Sequence, residues 1–134
     1  MLDYYNTTGV REICHKVKKS DISAISSYLS RSLPSSSILI PAPSHIGYAT
    51  YTLEICKEIR RRKGNKIADI LKRIPSESLY EMKLKGKGYV EMHLTENVEN
   101  GDYLFVDNVI STGLTFNTAK TLIPNLLPLV FAHV

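Results

Sequence analysis

The sequence predicts an α/β domain: a largely parallel sheet flanked by helices. Three observations predict it. Short apolar runs bounded by Pro, Ser, Gly or Asp recur at residues 37–42, 66–71, 103–106 and 127–134, as buried strands do. Stretches of helical period lie between them, so strand and helix alternate, and right-handed strand–helix–strand units follow. The chain has 134 residues, 43% of them hydrophobic, which suits one core. It reads as a single domain over 1–134, with an N-terminal helical region at 1–35 and the core at 36–134.

Each element has its own signal. Residues 1–19 are ambiguous, although Ile13 and Val17 share a helical face. Ser20 and Asp21 read as a helix start, because a side-chain oxygen there can satisfy orphan amides. Ile22, Ile25 and Leu29 follow at helical spacing, and Pro34 ends the run. After the strand at 37–42 comes a tight segment, Pro43 to Gly47. A helix is expected from about 48 to 62, with Thr52, Ile55, Cys56 and Ile59 on one face. Arg60, Arg61, Arg62 and Lys63 complement its negative pole, and Gly64 stops it. The second strand is 66–71. Residues 72–88, with Pro75, Gly86 and Gly88 among lysines, read as an excursion or mobile loop. Residues 89–94 alternate like a strand. The apolar run 103–106 delivers Asp107 to a strand tip. A helix over 115–123 buries Phe116, Ala119, Leu122 and Ile123 before Pro124 bars it, and 127–134 is the last strand.

Composition narrows the function classes. Seventeen basic against 13 acidic residues give a net charge of +4, a mild preference for anionic partners. The two cysteines, Cys14 and Cys56, form no C-x-x-C pair, and His15, His45, His93 and His133 lie far apart, so no zinc site is expected. No apolar run approaches the ~20 residues of a membrane span. The first residues carry neither a basic nor an apolar signal region, so the expected location is cytoplasmic.

In a parallel sheet ligands sit beyond the carboxyl ends of the strands, which points to the loops after Pro41 and after Val106. The second is the more informative. A buried strand delivers Asp107, then Asn108; Ser111, Thr112, Gly113, Leu114 and Thr115 turn the chain into a helix. The first amides of a helix lack internal partners and carry the positive end of its dipole, so a phosphate fits there. Hydroxyls add donors, and Gly113 allows close approach. Asp107 can accept from both hydroxyls of a cis-diol beside that phosphate.

This segment closely resembles the phosphoribosyl pyrophosphate motif of type I phosphoribosyltransferases: hydrophobic strand, two acids, two apolar residues, hydroxyl-rich Gly turn. Asn108 replaces the second acid. The run from Ile38 to Gly47 stands where these enzymes carry their pyrophosphate loop, and its proline-rich strand end is similar to the branch of the competence protein ComF and the amidophosphoribosyltransferases. The cysteine cluster and the Arg-Gly-Phe-Asn run of ComF-like proteins are absent. The resemblance spans residues 36–134, with only 103–115 specific.

It implies a Rossmann-like core with a minimal or absent hood, and transfer of a phosphoribosyl group to an unidentified acceptor with pyrophosphate release. Asp107 and Asn108 are then the catalytic pair. Ser111, Thr112, Gly113, Leu114 and Thr115 hold the 5′-phosphate. Pro43, Ser44, His45, Lys72 and Arg73 hold pyrophosphate. Mg²⁺ arrives with the donor, with no direct protein ligand. Lys83, Lys85 and Lys87 read mainly as a solvated loop, with a mobile catalytic loop as the alternative. Ser111, in place of the aspartate of the 6-oxopurine branch, argues against hypoxanthine and guanine. The expected partner is a small molecule, phosphoribosyl pyrophosphate or another ribose 5-phosphate compound; a membrane is excluded, nucleic acid is disfavoured, and a homodimer is open. The alternatives are a non-catalytic binding or regulatory module, supported by Asn108, and a ComF-like accessory protein of DNA uptake.

Overall fold

The computed structural model describes residues 1–17, 21–75 and 90–134. In chain order these form β1 (Leu2–Asp3), α1 (Val10–Val17), α2 (Ser23–Ser30), β2 (Ile38–Pro41), α3 (Tyr51–Lys63), β3 (Leu71–Arg73), β4 (Met92–Leu94), β5 (Tyr103–Ile110), α4 (Leu114–Leu122) and β6 (Leu127–His133). Four strands make one parallel sheet in the order β1-β6-β5-β2, and β3 and β4 pair antiparallel beside it. The α/β class and the parallel sheet flanked by helices are as the sequence predicts. No helix among the described residues is long and apolar enough to cross a membrane.

Two apolar clusters cover the two faces of the sheet. Cys14, Val17, Ile25, Leu29, Ile55, Cys56 and Ile59, from α1, α2 and α3, pack on Leu39, Val106 and Phe131. Ala119 and Ile123 pack on Ile40, Phe105 and Leu126 on the other face, with Ile70 and Leu71 joining them. Topology explains the split. The chain leaves β2 through α3 and returns beside β2 at Ile67, which bridges Leu39; it leaves β5 through α4 and returns on the opposite side as β6. Right-handed crossovers running in opposite directions place their helices on opposite faces. β2 and β5 are therefore neighbours at the point where the strand order reverses.

Several elements differ from expectation. The strand at 66–71 touches the sheet at one bridge only, Leu39 with Ile67. Ile70 and Leu71, adjacent in sequence, are both buried in the α4-side cluster, which breaks strand alternation and turns the chain off the edge. Leu71–Arg73 then pairs with Met92–Leu94, so the strand expected at 89–94 serves a hairpin and not the main sheet. The helix expected at Ser20 and Asp21 begins at Ser23, with no side-chain cap bond; Ser20 lies outside the described residues. The ambiguous N-terminus supplies an edge strand, β1, and a helix whose Val10, Cys14 and Val17 are buried. α3 starts at Tyr51 and not near residue 48, and α4 starts at Leu114. The prediction of Gly64 as a stop holds: it is left-handed, φ 81°, and its amide reaches the Arg60 carbonyl at 2.8 Å.

Candidate functional site

β5 is twice as long as its apolar run suggested. It continues to Ile110 because β6 pairs with it as far as Ile110 with His133. β2 stops earlier, its Pro41 opposite Val106. Asp107 thus lies inside β5 and not at its tip, on an edge that β2 has just vacated. The last contact across this edge is the Ala42 amide donating to the Val106 carbonyl at 3.0 Å. The next amide on that side of β5 belongs to Asn108, since carbonyl i and amide i+2 of a strand point the same way. Asp107 Oδ1 accepts it at 2.8 Å. The carboxylate is thereby held at the crevice where the strand order reverses, the place ligands favour in open α/β sheets.

A cavity of about 700 Å³ opens there. Its lining brings together Pro43, Ser44, His45, Arg73, Asp107, Asn108, Ser111 and Thr115 from the predicted set. Gly113 and Leu114 line a small adjoining crevice with Asp107, Ser111 and Thr115. Thr112 turns its hydroxyl to the Leu114 amide, 3.2 Å away, and so shapes the start of α4. Lys72 is not on the cavity wall; its Nζ pairs with Asp69 at 3.1 Å. Lys83, Lys85 and Lys87 lie outside the described residues.

The loop after β2 is tied down by its own groups. Ser44 Oγ donates to the Tyr48 carbonyl at 2.9 Å, and Thr52 Oγ1 donates to the Ala42 carbonyl at 2.6 Å. His45 is exposed. Gly47 joins this loop to β3, its carbonyl accepting from the Arg73 amide at 2.9 Å. Gly47 has φ 113°, and a Cβ there would lie 3.1 Å from the Arg73 carbonyl oxygen and 3.3 Å from Pro75 Cγ. Only glycine suits both the angle and the approach. Gly47→Ala is expected to destabilise the protein by about 1–3 kcal/mol and to move Arg73 in the cavity wall. Thermal denaturation reads the first effect, and weakened binding of inorganic pyrophosphate the second.

Arg73 is 4% exposed, and burial pulls its guanidinium below the ordinary arginine value. Arginine stays protonated at neutral pH even so, which makes Arg73 a buried cation in the cavity wall. Two helices, α3 and α4, begin at this cavity, with Thr50 and Thr115 on its lining. The described wall thus combines two helix starts, one carboxylate and several hydroxyls.

Asn108 is 1% exposed and turned toward α1 and α3. Its Nδ2 donates to the Cys14 carbonyl and its Oδ1 accepts from the Tyr51 hydroxyl, both at 3.4 Å. Tyr51 is the lining residue that sequence reasoning missed. Nothing in a helical pattern tells which first-turn side chain lines a cavity at the end of the preceding strand. Thr50 and Thr52, outside the site residues the sequence predicts, also line the cavity, and Ile46 lines it with the rest of the loop after β2.

Comparison with protein-family models gives no match, and comparison with curated proteins gives none either.

Proposed function

We propose that this protein binds phosphoribosyl pyrophosphate in the β2–β5 crevice and transfers its phosphoribosyl group to an acceptor, as a type I phosphoribosyltransferase-like enzyme. The observation that carries the reading is the convergence, on one cavity at the strand-order reversal, of the motif residues Asp107, Ser111 and Thr115 with the loop Pro43, Ser44, His45 and with Arg73.

Roles follow from chemistry. The 5′-phosphate belongs at the start of α4, where free amides and the hydroxyls of Ser111 and Thr115 face an anion. Asp107 accepts from the ribose hydroxyls. Pyrophosphate lies toward the 43–45 loop, the start of α3 and Arg73. In transfer, the bond from the anomeric carbon to the pyrophosphate oxygen breaks and the electron pair leaves with pyrophosphate. The acceptor's lone pair forms the new bond to that carbon, and the acceptor's proton passes to water. Arg73 offsets the charge growing on the leaving group, and Asp107 fixes the ring and favours its developing positive charge. Asp107 is the one carboxylate on the described cavity wall, and the described residues hold no cluster of three metal-ligating side chains. Mg²⁺ would enter as a companion of the donor's oxygens and neutralise the diphosphate.

A second reading is favoured by Asn108. It carries an amide where the motif has its second acid, and that amide bonds Cys14 and Tyr51, so the motif brings one carboxylate to the cavity. A module that senses phosphoribosyl pyrophosphate without turnover needs only the first. Pyrophosphate release with a panel of nucleobases separates the two: release with any base supports the enzyme, and saturable binding with no release supports the sensor.

A further inference from the structure

The motif position that would supply a second acid is spent on the fold, yet the cavity keeps a second hydroxyl-reading group. Tyr51 stands in the first turn of α3 and lines the cavity with Asp107. Its hydroxyl approaches β5 at residue 108, next in the chain to Asp107. That approach, 3.4 Å to Asn108 Oδ1, is longer than the usual O–H···O bond, so the hydroxyl is loosely held and keeps its lone pairs for another donor. The environment keeps it protonated: burial, then the charge of Asp107, then Cys14 push the Tyr51 phenol well above its ordinary value. Tyr51 is thus a neutral donor and acceptor over the whole physiological range, sitting within the field of the Asp107 carboxylate.

We infer that Tyr51 is a ligand-binding residue that contacts one of the two cis-hydroxyls of the bound ribose, taking the place of the carboxylate that Asn108 lacks. The inference rests on the ribose 5-phosphate reading above. Asp107 accepts from the diol at the free edge of β5, and Tyr51 adds a contact to one of its hydroxyls from α3. A hydroxyl pair is then read by one charged and one neutral group.

The test compares wild type and Tyr51→Phe with four probes: ribose 5-phosphate, its 2-deoxy and 3-deoxy analogues, and inorganic phosphate. Binding is followed by NMR titration, and thermal midpoints are recorded alongside. Wild type is expected to prefer ribose 5-phosphate to both deoxy analogues. Tyr51→Phe is expected to weaken ribose 5-phosphate about 5–10-fold, the worth of one neutral hydrogen bond. It leaves inorganic phosphate and the analogue lacking the contacted hydroxyl unchanged, so discrimination against that analogue disappears. Equal weakening of all four probes means a structural role and overturns the inference while the ribose reading stands. Unchanged binding of all four has the same meaning. Wild type that binds phosphate without preferring the ribose compound overturns both. Should Tyr51→Phe not fold, the wild-type titration decides: a shift of the Tyr51 ring resonances with ribose 5-phosphate that inorganic phosphate does not produce supports the contact, and no such shift overturns it.

Discussion

Asp107→Ala is expected to weaken phosphoribosyl pyrophosphate binding about a hundredfold, because two charge-assisted hydrogen bonds to ribose hydroxyls are lost at roughly 1.5 kcal/mol each. The carboxylate is placed for that role by a feature of the sheet. β2 ends opposite Val106, and Asp107 takes up the Asn108 amide that the departing strand leaves without a ladder partner. One oxygen is thereby anchored at 2.8 Å and the side chain is held at the crevice. Asp107→Asn should fall between, since an amide oxygen can still accept the backbone bond but without the charge. Inorganic pyrophosphate, which has no ribose, serves as the control and should bind all three proteins alike. Calorimetric titration of the three decides it. Equal donor affinity for wild type and Asp107→Ala would remove Asp107 from the ribose site.

Asn108→Asp restores the acid of the motif and is nevertheless expected to destabilise the protein by about 2–4 kcal/mol at neutral pH. The amide at this position donates to the Cys14 carbonyl. A carboxylate there turns an acceptor against an acceptor and adds a charge to a site that is 1% exposed. The new carboxyl would therefore have its pKa raised by burial. The sign of the pH dependence follows. The unfolded chain ionises this group at an ordinary value near ~3.9, and the folded chain resists ionisation. The stability difference from wild type is then small below that ordinary value, grows as pH rises through the interval between the two pKa values, and is constant above the higher one. Thermal midpoints of both proteins across the pH range measure it. A gap that is absent at neutral pH, or that widens toward acid, contradicts the packing described for Asn108. Donor affinity is not expected to improve, because the side chain at this position is engaged with Cys14 and Tyr51.

These two neighbouring residues show what the sequence made legible and what it hid. Their motif could be read directly, since an apolar strand, an acid and a hydroxyl-rich turn are local chemistry. The direction in which each side chain points could not. It depends on where β2 stops relative to β5, a matter of pairing between segments some sixty residues apart. The same limit explains residues 66–73. Their apolar character was plain, but only packing against Phe105 and Ile40 sends Ile70 and Leu71 off the sheet edge and brings Arg73 to the cavity. Lys72 and Arg73 looked equivalent in sequence. Alternation along β3 separates them, one paired with Asp69 and the other buried in the cavity wall. Tyr51 was hidden for a related reason, since a tyrosine in a first helical turn acquires meaning only from the strand it overhangs. Gly64, by contrast, acts through local backbone conformation, and its place was readable.

The most direct test of the account is calorimetric titration of the wild-type protein with phosphoribosyl pyrophosphate, with and without Mg²⁺, beside ribose 5-phosphate. Mg²⁺-dependent binding of phosphoribosyl pyrophosphate, clearly tighter than that of ribose 5-phosphate, is expected if the loop at 43–45 and Arg73 add a second anion site to the one at the start of α4. Failure to bind either compound would contradict it and leave the crevice between β2 and β5 without the ligand its residues are arranged to hold.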